Sequence, residues 1–162
     1  MKVKYLILKN NHYSSNELNT SYVSRQKLYR EIGYDDEQLI KQNAGYKNTC
    51  ATRMSLALLK SGVQIRGRLK IKEGSYKGKT FEPGAKLLAD HLANRHILGR
   101  PLVMTPATAL SKLSGKKGII FFWKIDGYDG GHIDVIDSTT KEQVCNSACY
   151  FASKEIWFWE LD

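Results

Sequence analysis

Gly118-Ile119-Ile120-Phe121-Phe122-Trp123-Lys124-Ile125, then Asp126-Gly127-Tyr128-Asp129-Gly130-Gly131, then His132-Ile133-Asp134-Val135-Ile136-Asp137 is the stretch on which the fold turns. Its first block is apolar on both sides. Ile119, Phe121, Trp123 and Ile125 alternate with Ile120 and Phe122, the pattern of a strand inside a sheet. The Gly/Asp-rich block is a turn. The third block returns as a second strand, so the whole predicts an antiparallel hairpin. Glu155-Ile156-Trp157-Phe158-Trp159-Glu160-Leu161 predicts a further strand, again apolar on both faces.

Upstream the pattern becomes helical. Residues 21–33 predict a short helix with Tyr22, Gln26 and Tyr29 near one face and Gly33 as its stop. Residues 35–43 add a turn or two capped by Asp35 or Asp36. The strongest helix runs from Cys50 to Ser61. Asn48 or Thr49 caps it, Ala51, Met54, Leu58 and Leu59 form its apolar stripe, and Gly62 ends it. Pro83 opens another helix reaching about Ile97. Helices come first and consecutive strands last, which predicts an α+β domain over 1–162, its N-terminal helices packed on an antiparallel β-sheet.

Two other segments read as strands. Met1 to Asn10 starts with positive charge, but its apolar run is too short for a signal peptide and has no small-residue cleavage site. It is read as a first strand, and any export would use a route without a Sec signal. Residues 64–73 alternate, with Arg66, Arg68, Lys70 and Lys72 on one side and Leu69 and Ile71 on the other. One reading is a solvated edge whose charges discourage aggregation. The other is a cationic ribbon, with Arg66, Arg68 and Lys70 holding an acidic substrate.

The chain has 162 residues, and 25 Lys and Arg against 16 Asp and Glu give a net charge of +9. That size suits one core. No apolar run approaches the roughly 20 residues of a membrane span. The charge favours acidic partners: nucleic acid, anionic lipid or an anionic polymer such as a bacterial cell wall.

The chemistry centres on Cys50 and His132. A thiol in the first turn of a helix meets unpaired backbone N–H groups and the positive end of the helix dipole, which favour thiolate. A histidine on a strand, flanked by Gly130 and Gly131 that let a substrate backbone approach, supplies a base. Asp134 shares the His132 side of the strand, and Asp137 does not. The inert alternative makes Cys50 a small buried hydrophobe. His91 and His96 read as surface or core residues. Cys145 and Cys149 admit three readings: a small disulfide loop, two buried thiols, or zinc ligands together with His132.

Several of these stretches resemble one known family. Asn48-Thr49-Cys50-Ala51-Thr52-Arg53-Met54-Ser55-Leu56-Ala57-Leu58, Gly115-Lys116-Lys117-Gly118-Ile119-Ile120-Phe121-Phe122, Gly131-His132-Ile133-Asp134, the Cys145/Cys149 pair and Ile156-Trp157-Phe158-Trp159 are similar to the type VI secretion amidase effectors of the Tae4 group. The resemblance spans roughly residues 43 to 162. It implies a papain-like NlpC/P60-type fold and an antibacterial toxin delivered by the type VI machinery into the periplasm of a recipient cell. There it would hydrolyse peptidoglycan between D-glutamate and meso-diaminopimelate, with a cognate immunity protein protecting the producer. By the same resemblance Cys50 is the nucleophile and His132 the general base, while the short loop of Cys145 and Cys149 near the active-site strand leads us to expect a disulfide formed after delivery. No metal or other cofactor is expected, and neither nucleic acid nor membrane is an expected partner. Relatives place an aspartate between the paired cysteines, whereas here that loop is Cys145-Asn146-Ser147-Ala148-Cys149. Asp134 is therefore expected as the third catalytic group, with Asn146 as a neutral alternative orienter.

Two rival functions use the same residues. A papain-like protease or deamidase toxin would keep the fold and change the target. A non-catalytic basic protein would grip nucleic acid or cell wall. Against the latter, the aromatics lie in core-like strands and do not interleave with the basic face as stacking platforms would.

Overall fold

The structure, a computed structural model, describes residues 3–139 and 144–162. The hairpin forms its centre: β4 (Lys117–Ile125) and β5 (Gly131–Asp137) pair antiparallel, with Phe122 opposite His132 and Ile120 opposite Asp134. The C-terminal strand β7 (Ser153–Glu160) pairs with the other edge of β4. With β3 (Leu102–Met104) and β6 (Val144–Cys145), the five-stranded sheet has the order β3-β7-β4-β5-β6 and is antiparallel throughout. This is the α+β architecture expected from the sequence.

One sheet face carries Ile119, Phe121, Ile133, Val135 and Trp159 into the main core, against the helices. Ile120, Phe122, Ile136, Ile156 and Phe158 fill a second core closed by α6 (Pro106–Leu113). Ile125 belongs to this second core, not to the face of Ile119 as strict alternation predicts. The reason is local: Lys124 adopts φ 55°, which breaks the period of two just before the turn.

At the heart of the main core lies α4 (Cys50–Lys60), buried along its length from Cys50 to Leu59. The expected apolar stripe is thus only part of its contact surface. Gly62, at φ +88°, ends it in a conformation that L side chains seldom adopt. Two buried polar residues of α4, Arg53 and Ser55, have partners, and Ser55 Oγ both donates to the Glu82 carbonyl and accepts from the Glu82 N–H. Arg53 donates to Thr49 Oγ1 at 2.7 Å and to the carbonyls of Ser14 and Val23 at 2.9 and 2.7 Å, tying the N-terminal segment to α4. Around α4 stand α2 (Arg25–Glu31), capped by Ser24, α3 (Asp36–Gln42), capped by Asp35, and α5 (Ala85–Leu92). α2 and α3 start after their capping residues, and α5 ends at Leu92, short of the expected Ile97.

Two strand expectations require correction. Residues 5–11 form a helix, α1 (Tyr5–Asn11), not a first strand. Tyr5, Leu8 and His12 turn inward at helical spacing while Leu6 and Ile7 stay exposed. In the segment 64–73 the predicted alternation is present, with Ile65 and Ile71 inward and Arg66, Arg68, Lys70 and Lys72 outward. Only β1 (Leu69–Lys70) forms a ladder, paired with β2 (Thr80–Phe81) in a separate two-stranded ribbon. The alternation reflects an extended chain lying on the core without long strand partners. No helix among the described residues is long and apolar enough to cross a membrane.

Candidate active site

Cys50 opens α4 and His132 is the second residue of β5, and both, though largely buried, line one cleft of about 880 Å³. Thr49 occupies the cap position without a side-chain cap bond. The Asn48 side chain takes that role, its Oδ1 accepting from the Cys50 N–H at 3.3 Å. Asn48 Nδ2 donates to the Tyr128 hydroxyl at 2.7 Å, so one amide links the helix start to the β4–β5 turn across the cleft. Gly131 also lines the cleft. A Cβ there would stand 2.7 Å from the Phe121 ring, so only glycine fits beside His132.

Asp134 is fully buried and lies behind His132. Its Oδ2 is 3.3 Å from His132 Nε2, and its Oδ1 accepts from the Val135 N–H at 2.8 Å. Ser147, which the sequence reading did not select, completes the cluster. Its N–H and hydroxyl both donate to Asp134 Oδ2, at 2.9 and 2.6 Å, and its Oγ is 3.0 Å from His132 Nε2. A short polar residue between two cysteines carries little signal by itself. The pairing of Cys145 with Ile136 is what carries the loop back alongside Asp134.

The charges follow from these contacts. Burial of the His132 ring opposes its charged form. Hydrogen bonds to Asp134 and Cys50, with the charges of both, outweigh burial and push His132 up to about 10. For Asp134, burial pushes the carboxyl up, but the His132 hydrogen bond, the nearby His12 and the Ser147 hydrogen bond hold it below the usual carboxylate range. The imidazole is further packed by Tyr150, edge-on at 5.0 Å, and by Phe122, stacked at 6.4 Å.

The other candidate residues lie elsewhere. Asn146 turns from His132 towards buried His12, with Nδ2 2.5 Å from His12 Nδ1. Asp137 points to Thr139, accepting from its N–H and hydroxyl at 2.9 and 2.6 Å. Cys145 and Cys149 are joined as a disulfide, with Cα atoms 5.7 Å apart, which leaves no thiolate for a zinc site with His132. Arg66, Arg68 and Lys70 do not line the cleft. Arg68 pairs with buried Glu82 at 2.8 Å, and the Arg66 N–H donates to His91 Nε2 at 3.3 Å.

A thiol at the start of a buried helix thus shares a cleft with a carboxylate-backed imidazole on an antiparallel sheet, a set that can supply a nucleophile and a base. The chain belongs to the Tae4 family, type VI secretion system amidase effector protein 4, whose sequence profile matches residues 46–159. Solved structures agree in fold. Tae4 from Enterobacter cloacae is 22% identical with a TM-score of 0.69, the match covering 100% of this chain and 98% of that one. Tae4 in the Tae4–Tai4 effector–immunity complex from Salmonella Typhimurium is 19% identical with a TM-score of 0.68, covering 100% of both chains. The corresponding complex from Enterobacter cloacae gives 20% and 0.62, again over 100% of both. No curated protein matches the chain by sequence.

Proposed function

We propose that this type VI amidase effector is a cysteine endopeptidase of peptidoglycan that cuts the stem peptide between D-glutamate and meso-diaminopimelate. The observation that carries the reading is the meeting of Cys50 with the Asp134-backed His132 in an open cleft, within a chain of this family. Cys50 thiolate attacks the amide carbonyl carbon, and His132, holding the thiol proton, delivers it to the leaving amine. Water then attacks the acyl-enzyme, with His132 as base, and the thiol is regenerated. Asp134 stabilises the imidazolium formed in both halves. The oxyanion is held by N–H groups at the start of α4. The Cys50 N–H is one of them, so Asn48 Oδ1 must give way when substrate binds.

The substrate assignment draws on the cleft walls. Besides His132, their charged residues are Lys47 and Asp126. Such a pair suits a stem peptide that carries both carboxylates and the ammonium group of diaminopimelate. Arg66, Arg68 and Lys70, away from the cleft, serve as a surface attraction for the acidic polymer. An immunity protein is the expected partner, as in the Tae4–Tai4 complexes of the relatives; one that blocks the cleft would stop catalysis, and the net charge of +9 suits an acidic one.

Expression in a Gram-negative host tests the reading. With a periplasmic signal the chain should lyse the cell, and without it the host should grow. Cys50→Ala should be harmless in both places. Equal toxicity in the cytoplasm would move the target inside the cell and overturn the proposal.

A further inference from the structure

We infer that Ser147 is a positioning residue for this site, its hydroxyl relaying the Asp134 carboxylate to His132 and fixing which ring nitrogen faces Cys50. The inference rests on the cysteine-hydrolase reading of the site and adds a fourth member that neither the family description nor the spacing of charged residues assigns.

Direction follows from counting protons. An ionised carboxylate only accepts, and a serine hydroxyl has one proton to give. At 2.6 Å from Asp134 Oδ2, that proton goes to the carboxylate. Towards His132 Nε2, 3.0 Å away, Ser147 Oγ therefore presents a lone pair. The hydrogen must then sit on Nε2. It is shared between Ser147 Oγ at 3.0 Å and the more distant Asp134 Oδ2 at 3.3 Å. In the neutral ring this leaves Nδ1 as the acceptor for the Cys50 thiol, and in the charged ring both N–H groups are matched. The Ser147 N–H, also on Asp134 Oδ2 at 2.9 Å, holds the serine backbone at the carboxylate, and rotation of the side chain away from His132 would break the hydroxyl's own bond to Oδ2.

The loop is built to hold the serine there. Ser147 lies at the middle of the five-residue loop closed by the Cys145–Cys149 disulfide. The preceding residue is anchored on three sides. Asn146 Nδ2 meets His12, its carbonyl accepts from Ser14 and Asn19, and its Oδ1 accepts from Ser21 at 3.3 Å. Ser147 itself lines the cleft, so its contacts are at the working end of the loop.

The test compares Ser147→Thr with Ser147→Val, side chains of one shape that differ by the hydroxyl, alongside Ser147→Ala. The first readout is the pH dependence of Cys50 alkylation by iodoacetamide, which needs no wall substrate and stands even if the peptidoglycan assignment fails. Loss of the hydroxyl removes the nearer partner of the Nε2–H. Thiolate should then form at higher pH in the Val and Ala variants, while Thr follows the wild type. The second readout is turnover on sacculi. Val and Ala should lower kcat by about tenfold to a hundredfold, the range for losing a hydrogen bond to a charged group, with KM nearly unchanged. Thr should restore most of it. An alkylation profile in Ser147→Val that overlays the wild type would overturn the inference. So would equal loss in the Thr and Val variants of correctly folded protein.

Discussion

Replacing Asp134 by Asn changes one atom and tests the core of the site. The carboxylate is fully buried and serves four donors. Oδ1 takes the Val135 N–H, and Oδ2 takes the Ser147 N–H, the Ser147 hydroxyl and the His132 ring. An amide has one oxygen, so in either orientation its NH2 faces a backbone N–H, either that of Val135 or that of Ser147. The donor left unpaired costs about 1–3 kcal/mol of stability. The loss to catalysis is bounded by the charge. At 3.3 Å and an effective dielectric of about 20, a carboxylate stabilises the imidazolium by roughly 5 kcal/mol. The lower bound is the roughly 1.5 kcal/mol of the weakest hydrogen bond to a charge. Turnover on purified sacculi should fall about a hundredfold or more, between those bounds. The pH profile adds a signed test. Removing Asp134 removes a cause that raises His132, so the imidazolium is lost at lower pH and the alkaline limb of kcat/KM should move to lower pH than in the wild type. A folded Asp134→Asn protein with turnover within a few-fold of wild type and an unmoved alkaline limb would refute the reasoning.

The neighbouring groups should separate cleanly. Asp137→Asn should leave turnover nearly unchanged, because its carboxylate serves Thr139, and Asn146→Ala should lower the melting temperature more than it lowers kcat, because its side chain serves His12. If Asn146→Ala instead abolishes turnover at unchanged stability, the orienter has been misassigned. Cys145→Ser with Cys149→Ser, or reduction of the wild type, should lower kcat by freeing Ser147 while Cys50 remains alkylatable, and unchanged kcat would remove that role from the disulfide. His12 is buried, and burial lowers it to about 4, with Asp134 opposing and Arg53 and His132 adding to the shift. Its contribution to stability is present above about pH 6.5 and is lost as pH falls towards 4, on the order of 3 kcal/mol. Urea unfolding at steps across that window should show a slope that His12→Asn flattens, and identical slopes would contradict it.

The hairpin was legible because two apolar strands and a Gly/Asp turn leave few alternatives, and register then placed His132 and Asp134 on one side. Cys50 was legible because a polar pair precedes a strongly apolar helix. Other elements were hidden for physical reasons. At α1, four adjacent apolar residues fit a strand as well as a helix over so short a run, and only the burial of Tyr5, Leu8 and His12 decides. Along 64–73, alternation records which side chains face the core and says nothing of whether a neighbouring strand exists to pair. The edge strand β3 and helix α6 went unread, although Thr105-Pro106 is a helix start and Ala109 and Leu113 are spaced four apart. Ser147 could not be found from residue type, since its role comes from the loop being returned to β5 by the Ile136–Cys145 pairing.

Digestion of purified Gram-negative sacculi, with the released fragments identified by mass spectrometry, tests the central claim most directly. Wild-type protein should release peptides with a new N-terminus at meso-diaminopimelate and leave D-glutamate with a new carboxylate, and Cys50→Ala should release none. Intact stem peptides after wild-type digestion, cleavage at another bond, or the same fragments from Cys50→Ala would contradict it.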